Sequence, residues 1–296
     1  MKSTLFILAL SLLSTSSQAS VIPKGVVSFA NLDGKKVQYY GGPVIAHAKV
    51  YTVFWGSKVN ATIKNGMPNF YKAAVDSTYL DWLRVYNTNV NAVDGRMGTN
   101  QSIGRGSYAG TITIAPKQLS GTIKDADIQV EIQRQIDAKV LPAPDADTLY
   151  MIHFPKGMTI TIDDGNGGTA SSCQQFCAFH EGFKSPTAGN VFYGVMPDLS
   201  APSCAFGCGG GTLLDRTTEG SSHELMEAIT DGFPTPGSSP SFPQAWNTTD
   251  GQEVGDICQG NDGKLQAGST SFVVQQIYDN SANACTTGDY QSNAQL

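Results

Sequence analysis

Residues 221–232, Ser-Ser-His-Glu-Leu-Met-Glu-Ala-Ile-Thr-Asp-Gly, combine residue type and spacing into possible chemistry. At about 100° per residue on a helix, Glu227 falls about 40° from His223, Asp231 about 80° and Glu224 about 100°. Leu225, Ala228 and Ile229 fall on the opposite side. One face is apolar and suits a core; the other carries an imidazole and three carboxylates. The i, i+4 pair His223/Glu227 can hold one metal ion from adjacent turns, with Glu224 projecting beside it. In the H-E-x-x-H pattern of zinc peptidases this spacing supplies two ligands and a general base. Here Glu replaces the second His, giving H-E-x-x-E, and zinc accepts carboxylate oxygen as well as imidazole nitrogen. The same pattern arises as a solvated acidic face with a chance histidine. Clustered carboxylates repel one another without a cation, which tilts the reading toward metal.

A catalytic zinc needs about three protein ligands and an open position. His180, beside Cys177, and Glu253, ahead of Cys258, are the candidates to join His223 and Glu227. Four protein ligands would close the site, so one of these two is expected to step back and orient a ligand. Glu224 is the expected base, and Asp231 and Asp256 are candidates for the surrounding layer. His153 lies in a strand-like run and reads as a core histidine. His47 is assigned no role.

These residues need elements to position them. Ser221 with Glu224 three residues later reads as a capping box opening the helix, and Gly232 as its stop. Val50–Gly56, Gly110–Ala115, Leu149–Phe154, Met158–Ile162, Val191–Met196 and Phe272–Tyr278 read as strands from their β-branched and aromatic content. Pro68–Tyr86 and Asp125–Val140 read as helices, the second with Ile128, Ile132 and Ile136 at four-residue steps. The alternation predicts an α/β or α+β fold: a mixed sheet flanked by helices, with a disulfide-stabilised, loop-rich C-terminal half. The stretch from Gly232 to Pro243 reads as a long surface loop, because the cysteines continue beyond it.

The 296 residues carry a formal charge of −6 and only 15% charged residues, which argues against an electrostatic nucleic-acid binder. Six cysteines, at 173, 177, 204, 208, 258 and 285, lie in the C-terminal half. Fifteen pairings are possible, and the close spacings suggest Cys173–Cys177, Cys204–Cys208 and Cys258–Cys285. Two C-x3-C pairs could instead hold a structural zinc, but ribbon-like spacing is lacking.

Cys177-Ala178-Phe179-His180, Cys204-Ala205-Phe206-Gly207-Cys208, His223 to Asp231, Glu253-Val254-Gly255-Asp256-Ile257-Cys258 and Cys285 occur in an order that resembles the EXORDIUM-like, phosphate-induced protein family. The resemblance spans roughly residues 40–290 and is specific from about 173 to 285. His180, His223, Glu224, Glu227 and Glu253 match family positions; Asp231 and Asp256 match only its microbial pattern. Plant members carry Asn-Pro after the Thr, where this chain has Asp231-Gly232. The resemblance implies an extracellular or cell-wall protein, and for microbial relatives with H-E-x-x-E a metallopeptidase.

Weaker motifs fill in the picture. Asp163 to Gly168 offers calcium-type oxygens but lacks the length and terminal Glu of an EF-hand loop, and reads as a tight turn. Gly207 to Gly211 lacks the Lys-Ser/Thr of a phosphate cradle. No G-x-S-x-G is present, so the commonest serine-hydrolase elbow is missing. Asn60, Asn100 and Asn247 begin glycosylation sequons.

The functional expectation is a secreted zinc-dependent hydrolase, a metallopeptidase acting on an extracellular protein, peptide or cell-wall substrate. The alternatives are a non-catalytic extracellular or cell-wall interaction protein, and a glycan-active enzyme pairing Glu224 with Glu253. Lys2, the apolar run Leu5–Leu13 and small residues up to Ala19 form the three parts of an export signal, leaving residues 20–296 as one domain. The apolar run is about half the roughly 20 residues needed to span a bilayer, and no other segment is long enough. Intact-mass analysis of chain recovered outside the cell should show a start near Ser20; recovery of the chain with Met1–Ala19 attached would refute the export signal.

Overall fold

This computed structural model describes residues 21–23, 36–163, 168–205, 207–234 and 239–288. The export signal, most of the Asp163–Gly168 turn and part of the Gly232–Pro243 loop lie outside them.

In chain order the strands are β1 (Val21–Pro23), β2 (Gln38–Tyr39), β3 (Lys49–Trp55), β4 (Ser107–Ile114), β5 (Gly121–Lys124), β6 (Thr148–His153), β7 (Met158–Asp163), β8 (Thr169–Ser171), β9 (Phe176–Ser185), β10 (Gly189–Met196), β11 (Trp246–Asn247), β12 (Asp262–Ala267), β13 (Thr270–Gln275), β14 (Ile277–Asp279) and β15 (Ala284–Thr286). The helices are α1 (Ala61–Val75), α2 (Thr78–Asp81), α3 (Asp125–Asp137), α4 (Pro202–Ala205) and α5 (Leu213–Thr230), with 3-10 turns at Trp82–Tyr86 and Asp256–Cys258.

The expected mixed α/β architecture is present. Six strands form the main sheet in the order β1-β9-β10-β6-β3-β4. The run β10-β6-β3-β4 is parallel, and β9 returns antiparallel against β10. All six residues of β6 are buried, as a central parallel strand covered on both faces requires. Its side chains alternate: Leu149 and Met151 join one core with α1 and α5, while Tyr150 and Ile152 join the other with α3. Ile128, Ile132 and Ile136 of α3 are buried in that second core, as their spacing predicted.

Several expected boundaries move. The first helix runs from Ala61 to Val75 with Pro68 inside it, and Asn60 caps it by accepting from the Thr62 amide. The chain then breaks at Asp76 and restarts at Ser77, which caps α2, so Pro68–Tyr86 is not one helix. The consecutive strands β6 and β7 part company: β7 pairs with β5 and β8 in a separate sheet. The Phe272–Tyr278 run splits between β13 and β14, which bond to different neighbours.

Helix α5 begins nine residues before the expected start. Thr212 and Asp215 form the capping box, with the Asp215 amide donating to Thr212 Oγ1 at 3.2 Å and the Thr212 amide to Asp215 Oδ2 at 2.8 Å. Ser221 and Ser222 therefore lie inside the helix. Ser222 Oγ donates back to the Glu219 carbonyl at 2.6 Å, the use a mid-helix hydroxyl makes of its proton.

All six cysteines are bridged, but two expected pairings are wrong. The bonds are Cys173–Cys204 and Cys177–Cys208, with Cys258–Cys285 as expected. Cys177 is the second residue of β9 on the main sheet, and Cys173 lies just ahead of the strand. Of their partners, Cys204 lies in the short helix α4 and Cys208 just after it, so both bridges tie that helix segment to the sheet rather than closing two small loops. Sequence spacing shows which cysteines are close along the chain, not which are close in space. Three disulfides fit an extracellular protein. Among the described residues no helix is long and apolar enough to cross a membrane. Non-reducing peptide mapping should recover 173–204 and 177–208 cross-linked peptides; a 173–177 bridge would contradict this packing.

Candidate metal centre

The packing of α5 sets the site. It lies against β9 and β10 on one side and β13 on the other. Residues 221–231 are all buried. The face carrying His223, Glu224 and Glu227 does not meet solvent, as a surface amphipathic helix would. It is covered by the segment Glu253–Cys258 and by β13, elements whose contact with α5 no helical periodicity can reveal.

Close backbone approach brings His180 to this face. An added Cβ at Gly182 of β9 would stand 2.3 Å from the Gly232 carbonyl, so only glycine lets the end of α5 lie this near the strand. As a result His180 Nε2 lies 3.0 Å from the Asp231 backbone carbonyl and must donate to it. Asp231 caps the helix. Its side chain accepts from the Asn247 amide and from the Phe233 N–H. Asn247 is thereby buried, and its sequon cannot carry a glycan. Asn100 is exposed and Asn60 half-buried.

His223 is oriented from the other side. Its Nδ1 lies 3.0 Å from Gln275 Oε1. Gln275 Nε2 donates to the Gly255 carbonyl at 2.8 Å, which turns the amide oxygen toward the ring, and the Gln275 N–H donates to Ser222 Oγ at 2.9 Å. Gln275 lies in a run recognised only as a strand; a buried glutamine in β-branched surroundings was the one signal that could have marked it.

With both outer nitrogens donating, a neutral ring at either position would turn its lone pair inward. His180 Nδ1 then faces Glu224 Oε2 at 3.0 Å and Glu227 Oε2 at 3.8 Å. His223 Nε2 faces Glu227 Oε2 at 2.9 Å and Asp256 Oδ1 at 3.8 Å. Lone pairs at such distances repel unless a proton or a cation stands between them. Glu227 is the shared element. Its Oε1 accepts from the Gly255 and Asp256 amides, both at 3.0 Å, which leaves Oε2 between the imidazoles.

The electrostatics express the same excess of negative charge. Burial opposes protonation of His180, yet its hydrogen bond to Glu224 and the charges of Glu224 and Glu227 outweigh this and raise it to about 9. His223 is likewise raised to about 10, against burial, by Glu227 and then Glu224 and Asp256. Burial pushes Asp231 up to about 7; burial and then Glu227 do the same for Asp256. Burial also raises Glu224. Glu227 is lowered despite its burial, chiefly by His223. Protons thus occupy positions that a divalent cation could take, and the two would compete.

The expected residues therefore converge, with a redistribution. Donor atoms within 4.8 Å of one another form two groups, His180/Glu224/Glu227 and His223/Glu227/Asp256. Asp256, expected in the surrounding layer, stands in the second group. Glu253 is in neither and reaches His180 from behind, Oε1 to Nε2 at 3.5 Å. The other histidines lie elsewhere. His153 is a core residue held by the Tyr71 hydroxyl at 3.1 Å and lowered to about 3 by burial, and His47 is an exposed residue bonded to the Arg105 carbonyl.

Gly255 is the second glycine the site demands. An added Cβ would stand 2.8 Å from both Glu227 Oε1 and His223 Nδ1. Gly255→Ala should cost about 1–3 kcal/mol of stability in chemical unfolding, the usual range for overpacking; an unchanged midpoint would show that the segment shifts freely. No protein-family model, no curated protein and no solved structure matches the chain.

Proposed function

We propose that this chain is a secreted metal-dependent hydrolase, with peptides as the substrate class and zinc as the ion. The observation that carries the metal reading is the inward pair of imidazole nitrogens. Each outer nitrogen is committed to a fixed acceptor, and each inner nitrogen faces carboxylate oxygens in full burial. Glu224 Oε1 is buried and makes no hydrogen bond, as a base atom awaiting a partner would. His223, Glu227 and Asp256 would hold the ion. Imidazole with two carboxylates suits zinc, and three protein ligands leave a position open. Bound there, the ion would supply Lewis acidity and acidify a water molecule.

The chain's own residues would do the rest. Gln275 holds His223 in the tautomer that offers Nε2. The Gly255 and Asp256 amides fix Glu227. Glu224 would accept a proton through Oε1 and return it to the leaving group, and its burial raises its affinity for that proton. Asp256 keeps 17% of its side chain exposed, while His180, His223, Glu224 and Glu227 keep none, so a substrate would approach from the Asp256 side. That same burial favours a second reading, a structural ion in a non-catalytic extracellular or cell-wall interaction protein.

Zinc content and peptidase activity of the exported protein separate the two. Glu224→Gln should retain the ion held by His223, Glu227 and Asp256 and lose about 10²–10⁴-fold in turnover, while His223→Ala should lose both. Gln275→Leu should weaken zinc binding about 10–100-fold, read by competition with a chelator, without unfolding the chain. Zinc bound without turnover would favour the structural reading. A wild type that neither contains nor takes up metal would refute both.

A further inference from the structure

The two donor groups share one atom, and their separation carries an inference that rests on the metal reading above. At metal–nitrogen bonds of about 2.0–2.1 Å, one ion reaches nitrogens no more than about 4.2 Å apart. Among the described residues, no group of donors lying within 4.8 Å of one another contains both His180 and His223. One ion therefore cannot take both inward nitrogens as they stand. Each nitrogen nevertheless has its own pair of carboxylates at distances that bracket a ligand polyhedron: 3.0 and 3.8 Å around His180 Nδ1, 2.9 and 3.8 Å around His223 Nε2.

We propose that the site binds two divalent cations bridged by Glu227, one held by His180 and by Glu224 through Oε2, which leaves Oε1 to act as base, and the other by His223 and Asp256. Glu227 is built for the bridge. Its Oε1 is tied to two backbone amides, so Oε2 is fixed at the one point that both triads share. Glu224 Oε1 is buried without a hydrogen bond, so the second oxygen of this carboxylate stays available beside the pair. A carboxylate-bridged pair spaced about 3.5–4 Å clamps both the attacking and the departing atom of a displacement.

The test titrates the chelator-stripped exported protein with zinc alone, by calorimetry and by plasma mass spectrometry after dialysis. Two ions per chain are expected. His180→Ala and Asp256→Asn should each retain one, and Glu227→Gln neither tightly. Cobalt loading provides a readout free of variants: a bridged pair should give a coupled, attenuated paramagnetic signal. One zinc per chain in the wild type would overturn the pair while leaving the hydrolase reading intact. No zinc would overturn both. Two zinc ions that survive His180→Ala, or two uncoupled cobalt ions, would refute the bridge.

Discussion

The fixing of Glu227 is the interaction on which the rest of this site depends. A carboxylate buried without exposure must be compensated on both oxygens. Here one oxygen takes two backbone amides of the segment before Cys258, and the other stands between two imidazoles. Each partner belongs to a different part of the chain. The amides come from the loop pinned by Cys258–Cys285, one imidazole from β9 on the main sheet, and the other from the preceding turn of α5. Satisfying this single side chain therefore requires the sheet, the helix and the C-terminal segment to be assembled together. The disulfides act in the same direction: two fasten the segment before α5 to the start of β9, and the third fastens the segment that covers it.

What the sequence revealed and what it hid divide along local and non-local lines. The apolar side of α5 is a periodicity, so Leu225, Ala228 and Ile229 were legible and are buried. The i, i+4 relation of His223 and Glu227 is also local and survives in the structure as a 2.9 Å contact. Where α5 starts was misread because two capping-box patterns lie nine residues apart. Thr212–Asp215 prevails since Gly220, Ser221 and Ser222 continue the helix, the Ser222 hydroxyl donating back to the Glu219 carbonyl. The cysteine pairing was hidden for a different reason: it depends on where α4 docks, and no spacing encodes that. Gln275 was hidden because a glutamine in a strand has no periodic signature; its role comes from facing His223 and Gly255 across the α5–β13 contact.

Burial also reshapes the chemistry that the motif alone suggests. On an open helix face, H-E-x-x-E would need a third ligand from elsewhere and would leave Glu224 in water, with an ordinary carboxylate proton affinity. In this fold the covering segment brings Asp256 as a third donor and removes water from Glu224 in one step, so a base of raised proton affinity and a site with compensable charge are products of the same contact. The cost falls on access. Among the donor side chains of the two groups only Asp256 is partly exposed, so displacement of the Glu253–Cys258 segment is the shortest path by which a large substrate could reach the donors. That segment is held at Cys258 by a disulfide and at Gly255 and Asp256 by Glu227 itself. Opening it would strip Glu227 of its amide partners, and a cation on Oε2 is what would offset that loss. On the proposed metal reading, occupancy and substrate access would in this way be coupled through one carboxylate.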